Sequence, residues 1–110
     1  MKLAVKLSII IPIGAGDDSW RVLLKELAPL LSKAEIIFTS SEPISLPKEW
    51  NEESLVKRMI GPLGRAKQMN AGATKATGEV FWFLHADSKF SASTLVAIDK
   101  LLQTSIEGIY

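Results

Sequence analysis

The segment Leu84-His85-Ala86-Asp87-Ser88 sets an imidazole and a carboxylate two residues apart at the end of an apolar run. Both groups are ligands for Mn²⁺ or Mg²⁺. At i and i+2, where a strand gives way to a turn, the two side chains can be aimed at one point. A divalent cation there neutralises a diphosphate and stabilises its departure as a leaving group. The same residues also suit a plainer role, with Asp87 capping the region that follows and His85 hydrogen-bonded locally. A second segment reads Gly64-Arg65-Ala66-Lys67-Gln68-Met69-Asn70-Ala71-Gly72-Ala73. It opens a helix with unpaired N–H groups and adds two cations, a combination suited to phosphate or to a network of sugar hydroxyls. Its plainer reading is a solvated basic first turn with Asn70 satisfied by the neighbouring loop. Gly14-Ala15-Gly16 after the first apolar run invites a dinucleotide-binding reading. The third glycine is missing, however, and no acidic residue clearly ends the next strand. No Gly-x-x-x-x-Gly-Lys-Ser/Thr segment exists, and the one histidine has no serine in an elbow motif. A nucleoside-triphosphatase loop and a Ser-His-Asp hydrolase are therefore set aside.

The elements that must position these groups follow from periodicity. Leu7 to Ile13 is a continuous apolar run, as expected of a strand covered on both faces. Gly14 to Asp18 is a loop in which Asp17 or Asp18 caps a helix. That helix starts at Trp20 with Leu23, Leu24, Leu27, Leu30 and Leu31 at helical spacing, and Pro29 bends or shortens it. Residues 35–39 read as a second strand, 40–53 as a loop with Pro43 and Pro47, and 54–60 as a short edge strand carrying Lys57 and Arg58. A helix over 65–77 presents Ala66, Met69, Ala73 and Ala76 along one stripe, and Gly78 ends it. Residues 79–84 are the most strand-like segment and carry His85 to Ser88 at their carboxyl end. A last helix, capped by Ser91 or Ser93, buries Leu95, Ile98, Leu101 and Leu102, and 108–110 open another strand. The alternation predicts an α/β domain with a mostly parallel sheet and helices on both faces. In such sheets ligands bind outside the carboxyl ends of the strands, which brings 12–18, 39–42 and 85–88 together. Trp20, Trp50 and Trp82 are read as packing residues.

Composition narrows the function classes. The 110 residues are enough for one domain, and 47% hydrophobic with 23% charged residues excludes a disordered tail. Thirteen Lys and Arg against twelve Asp and Glu leave a net charge of +1, with no basic field to hold nucleic acid. With no cysteine, disulfides, thiolate nucleophiles and zinc-thiolate sites are excluded. Lys6 and Pro12 interrupt the apolar start, so it reads as a buried strand rather than a signal peptide. No run approaches the ~20 apolar residues of a membrane span. A cytoplasmic protein is expected, with peripheral membrane contact left open.

Three segments, in this order and spacing, resemble the family-2 glycosyltransferases of GT-A type: Ser8-Ile9-Ile10-Ile11-Pro12, the 64–73 segment, and the run from Ala76 to Ser88. The last two look like a bacterial subgroup whose metal motif reads His-Ala-Asp. The resemblance runs from about Leu7 to the end of the chain. It implies a Rossmann-like GT-A fold, here incomplete, forming a single nucleotide-sugar-binding domain over 1–110. By that resemblance the loop around Pro12, Ile13 and Gly14 contacts the base of a nucleoside diphosphate, and Arg65 and Asn70 lie near the diphosphate or sugar. Asp87 holds Mn²⁺ or Mg²⁺, with His85 in the place of the first aspartate of the usual Asp-x-Asp. A nucleoside-diphosphate sugar is then the donor for transfer to an unspecified acceptor. The family usually ends its second strand with Asp-Asp-Gly-Ser, whose aspartate reads the base; here Thr39-Ser40-Ser41-Glu42 stands instead. Members are usually much longer, and their second half supplies the acceptor site and, in inverting members, the catalytic base. No catalytic residue is therefore assigned. The alternative expectation is a short non-catalytic relative that serves as a binding or assembly module, with the edge at 108–110 favouring a homo-oligomer.

Overall fold

The computed structural model describes residues 7–31, 33–86, 94, 96–98 and 100. Among these residues four strands form one sheet in the order β3-β2-β1-β4, all parallel: β1 Leu7–Ile13, β2 Glu35–Ser40, β3 Val56–Ile60 and β4 Val80–Phe83. Among the described residues they are accompanied by α1 Trp20–Leu27, α2 Lys48–Asn51 and α3 Arg65–Lys75, with further helical residues at 94, 96–98 and 100. The α/β class and the parallel sheet thus agree with the periodicity. β1 is the centre because its isoleucine run has no polar face to give to water, and every one of its residues is buried.

Register separates the two faces. Ile9, Ile11 and Ile13 pair with Ile36, Phe38 and Ser40. With Trp20, Leu23, Leu24 and Leu27 of α1 they make the main core. Phe38 lies edge-on between Trp20 and Trp50, each ring centroid 6.2 Å away, so both tryptophans are packing residues. Trp82 packs against the same cluster, and Ile98 from the helical residues 96–98 joins it. Pro29 has the expected effect: α1 stops at Leu27 and the chain tightens into a 3₁₀ turn over Ala28–Leu30. Leu95, Leu101, Leu102, the capping serines Ser91 and Ser93, and the strand at 108–110 lie outside the described residues.

On the opposite face α3 lies across β1 and β2. A Cβ built on Gly72 would come within 2.5 Å of an Ile10 methyl and 3.1 Å of that of Thr39, so this glycine is what lets the helix touch the sheet. The buried stripe of α3 is Gln68 and Gly72, whereas Ala66, placed on the stripe by the sequence reading, is exposed. One turn of helix separates Gln68 from Gly72, and the close approach at Gly72 turns that face inward despite its polar residue.

Three further expectations are corrected. The 40–53 loop contains α2, too short to show a period and anchored by buried Trp50. Gly78 does not end α3, which stops at Lys75; it is instead squeezed against β1, where a Cβ would meet Ser8 Oγ at 2.6 Å and Ser8 N at 2.8 Å. Neither Asp17 nor Asp18 is the helix cap, which is Ser19; Asp17 Oδ1 accepts hydrogen bonds from the N–H and hydroxyl of Ser19. No described helix is long and apolar enough to cross a membrane.

Candidate functional site

The strand order places a reversal between β1 and β4. From β1 the chain passes through α1 to β2 on one side, and α3 carries it over the opposite face to β4 on the other side. The loops leaving β1 and β4 therefore diverge and open a crevice at the carboxyl rim, where parallel sheets seat ligands.

A cleft of about 210 Å³ occupies that crevice. Its walls are Pro12 near the end of β1, Gly14, Ala15 and Asp17 in the loop that follows, Leu63 and Gly64 before α3, Arg65 and Gln68 in the helix, and Ala86 after β4. Gly64 has φ +104°, which a side chain would strain, and this turn aims the helix end into the cleft. The first intrahelical bond runs from the Gln68 N–H to the Gly64 carbonyl at 2.9 Å. The N–H groups of Arg65, Ala66 and Lys67 precede it and have no helical acceptor, and no side chain among the described residues caps them. With the Arg65 guanidinium they form a cluster of donors carrying positive charge.

A second cleft, about 270 Å³, shares the 14–17 wall and lies between the loops after β1 and β2. Ile13, Trp20, Pro43 and Ile44 give it apolar surface. Asp17, Asp18 and Glu42 outnumber its one cation, Arg21, whose guanidinium rests 4.7 Å over the Trp20 ring. Hydrogen bonds from the Ser19 hydroxyl and N–H hold the Asp17 carboxyl below its ordinary value, so it stays charged. This cleft repels a phosphate and suits an uncharged polar group; Asp17 also lines the α3 cleft, but there Arg65 and the open N–H groups of the helix offset its charge and leave room for an anion.

Of the residues singled out from sequence, Pro12, Gly14 and Arg65 converge on the α3 cleft. Ile13, 2% exposed, lines the neighbouring one. Asn70 is exposed on α3 and lines neither of these clefts. His85 follows β4 at the carboxyl rim and is exposed, next to cleft-lining Ala86. Asp87 lies outside the described residues. Among the described residues no group of three or more His, Cys, Asp or Glu side chains is placed to hold a metal ion.

Gln68 was missed by the sequence reading. It is 2% exposed, lines the α3 cleft, and its carboxamide makes no hydrogen bond among the described residues. The usable signal was its spacing four residues before the sheet-contacting Gly72. No protein-family model matches the chain, and neither does any curated protein or solved structure.

Proposed function

We propose that this chain is the donor-binding domain of a nucleotide-sugar-dependent glycosyltransferase of GT-A type. The observation that supports it best is the convergence, at the reversal point of the sheet, of the open N-terminus of α3, Arg65, the 14–17 loop and Ala86. In this reading the diphosphate lies on the N–H groups of Arg65, Ala66 and Lys67, with the Arg65 guanidinium gripping a second oxygen. The nucleoside extends over the shared wall into the neighbouring cleft, where Ile13, Pro43 and Ile44 offer apolar surface to a base. Asp87 and His85 would hold Mn²⁺ or Mg²⁺. That ion supplies charge neutralisation as the sugar–phosphate bond breaks. The chain's own donors share this task, since helix N–H groups and Arg65 stabilise the departing diphosphate without reorganising.

Calorimetry with Mn²⁺ and a panel of nucleoside diphosphates tests the reading. Binding is expected for the parent and a loss of about tenfold or more for Asp87→Ala and for Arg65→Ala. Unchanged affinity in Asp87→Ala removes the metal assignment, and a parent blind to the whole panel removes the function. A non-catalytic binding module is the second reading, drawn from Thr39-Ser40-Ser41-Glu42 at the end of β2, where the Ser40 hydroxyl is turned onto the Glu42 carbonyl. Turnover of a sugar nucleotide by the purified chain eliminates it.

A further inference from the structure

Gln68 is the one polar side chain on the buried stripe of α3, and its carboxamide makes no hydrogen bond among the described residues. Its polar atoms are not sealed in the core, so they open onto the cleft that it lines beside Pro12, Gly14 and Arg65, where a polar group of a ligand can meet them. The kind of ligand follows from hydrogen-bond chemistry. The free N–H groups of α3 and the Arg65 guanidinium only donate, and an ionised diphosphate only accepts, so these match each other. A carboxamide differs in kind. It donates through nitrogen and accepts through oxygen, and its oxygen is satisfied only by a ligand group that itself donates. A hydroxyl does both.

Resting on the nucleotide-sugar reading above, we infer that Gln68 determines donor specificity by reading a hydroxyl of the transferred sugar. Gln68 stands one turn behind the anion-facing end of α3, so a group bonded to the diphosphate reaches it where the diphosphate itself is held by the first turn. A site that hydrogen-bonds a substrate hydroxyl rejects the analogue that lacks it far more strongly than an apolar pocket distinguishes a methylene. The chain therefore discriminates among sugars by hydroxyl position and configuration.

The test uses the full chain with Mn²⁺ and two pairs of probes, UDP with UDP-glucose and GDP with GDP-mannose. Gln68→Met conserves length and removes the polar groups. The expected result is that it binds the sugar form about tenfold more weakly while the bare diphosphate changes by less than about twofold. In the parent, replacing one sugar hydroxyl by hydrogen costs a similar factor, and in Gln68→Met the same replacement costs nothing further. The deoxy-sugar series on the parent decides the matter even if the variant does not fold: insensitivity to every single hydroxyl overturns the inference. Equal loss for the bare diphosphate and its sugar form overturns it too, because that marks a contact to phosphate or ribose. Loss of affinity for Mn²⁺ alone does the same. A parent that binds bare diphosphates, with a Gln68→Met variant that keeps the full gain from the sugar, sinks this inference and leaves the nucleotide reading standing; a parent that binds neither form sinks both.

Discussion

The two ends of the sheet treat buried polar groups in opposite ways. At the amino end, Glu35 is 1% exposed, yet its carboxylate accepts hydrogen bonds from the Ser8 hydroxyl at 2.7 Å, the Thr77 N–H at 2.8 Å, the Thr77 hydroxyl and the Lys57 ammonium. Ser8 Oγ in turn accepts the Gly78 N–H at 2.8 Å. This circuit ties β1, β2, β3 and the turn into β4 together. At the carboxyl end, among the described residues, Thr39 Oγ1 and Ser41 Oγ are buried without partners, the Gln68 carboxamide faces the cleft without a hydrogen bond, and no side chain caps the first N–H groups of α3. A buried polar group left unpaired costs about 1–3 kcal/mol. The amino end therefore uses its polar groups to hold the fold, while the carboxyl end keeps them free for a ligand at some cost in stability. Stability and binding are thus separated by about one strand length.

That contrast can be broken most forcefully at Glu35. Glu35→Ala leaves the Lys57 ammonium and the Thr77 N–H without their acceptor, and we expect a loss of about 3 kcal/mol in chemical denaturation. Gly78→Ala comes next, at about 2–3 kcal/mol, because the new methyl meets the Ser8 backbone, which cannot yield. Gly72→Ala costs less, about 1–2 kcal/mol, since its methyl meets the side chains of Ile10 and Thr39 and the alanine regains helix propensity. Acid sharpens the comparison. Burial pushes the Glu35 carboxyl up, but hydrogen bonds from Lys57, the Thr77 N–H and Ser8 outweigh it, so the folded value lies below the ordinary 4.5. The stabilisation is thus fully present above about pH 4.5 and is lost as pH falls through the folded value. Melting temperature in that range is expected to fall more steeply for the parent than for Glu35→Gln; parallel profiles would show that the circuit is not what titrates. The smallest effect is the most telling in sign. Gln68→Met at the carboxyl end is expected to leave stability unchanged or raise it by up to about 1 kcal/mol, and a loss comparable to that of Glu35→Ala would erase the distinction.

Much of the fold was legible because the strands announce themselves. The Ile-rich run of β1 and the Glu35–Ser40 segment needed no tertiary information, and Pro29 marked the end of α1 by removing a donor. Lys57 and Arg58 correctly signalled an edge strand, since β3 is terminal in the sheet. Other features left no local trace. Glu35 looks like an ordinary polar strand start, and its partners stand 27 residues away at Ser8 and 42 away at Thr77. Gln68 sits in a helix of mostly polar and small residues, where a glutamine reads as solvent-facing; only the contact of Gly72 with Ile10 turns it inward. The rim itself was foreseen in outline, as Pro12, Gly14 and Arg65 do share a cleft. Asn70, which the resemblance sets near the diphosphate or sugar, lies on the exposed side of α3, because a shift of two positions from Gln68 turns a side chain by about 200° around the helix.

The central claim is that ligands meet this protein at the carboxyl rim and leave the amino-end circuit untouched. Amide NMR of the labelled chain during titration with Mg²⁺ and nucleoside diphosphates tests it directly. Shifts are expected to concentrate at Gly14, Ala15, Arg65 and Gln68, with Thr77 and Gly78 unmoved. Shifts centred on Thr77 and Gly78, or a spectrum that no diphosphate disturbs, would contradict it.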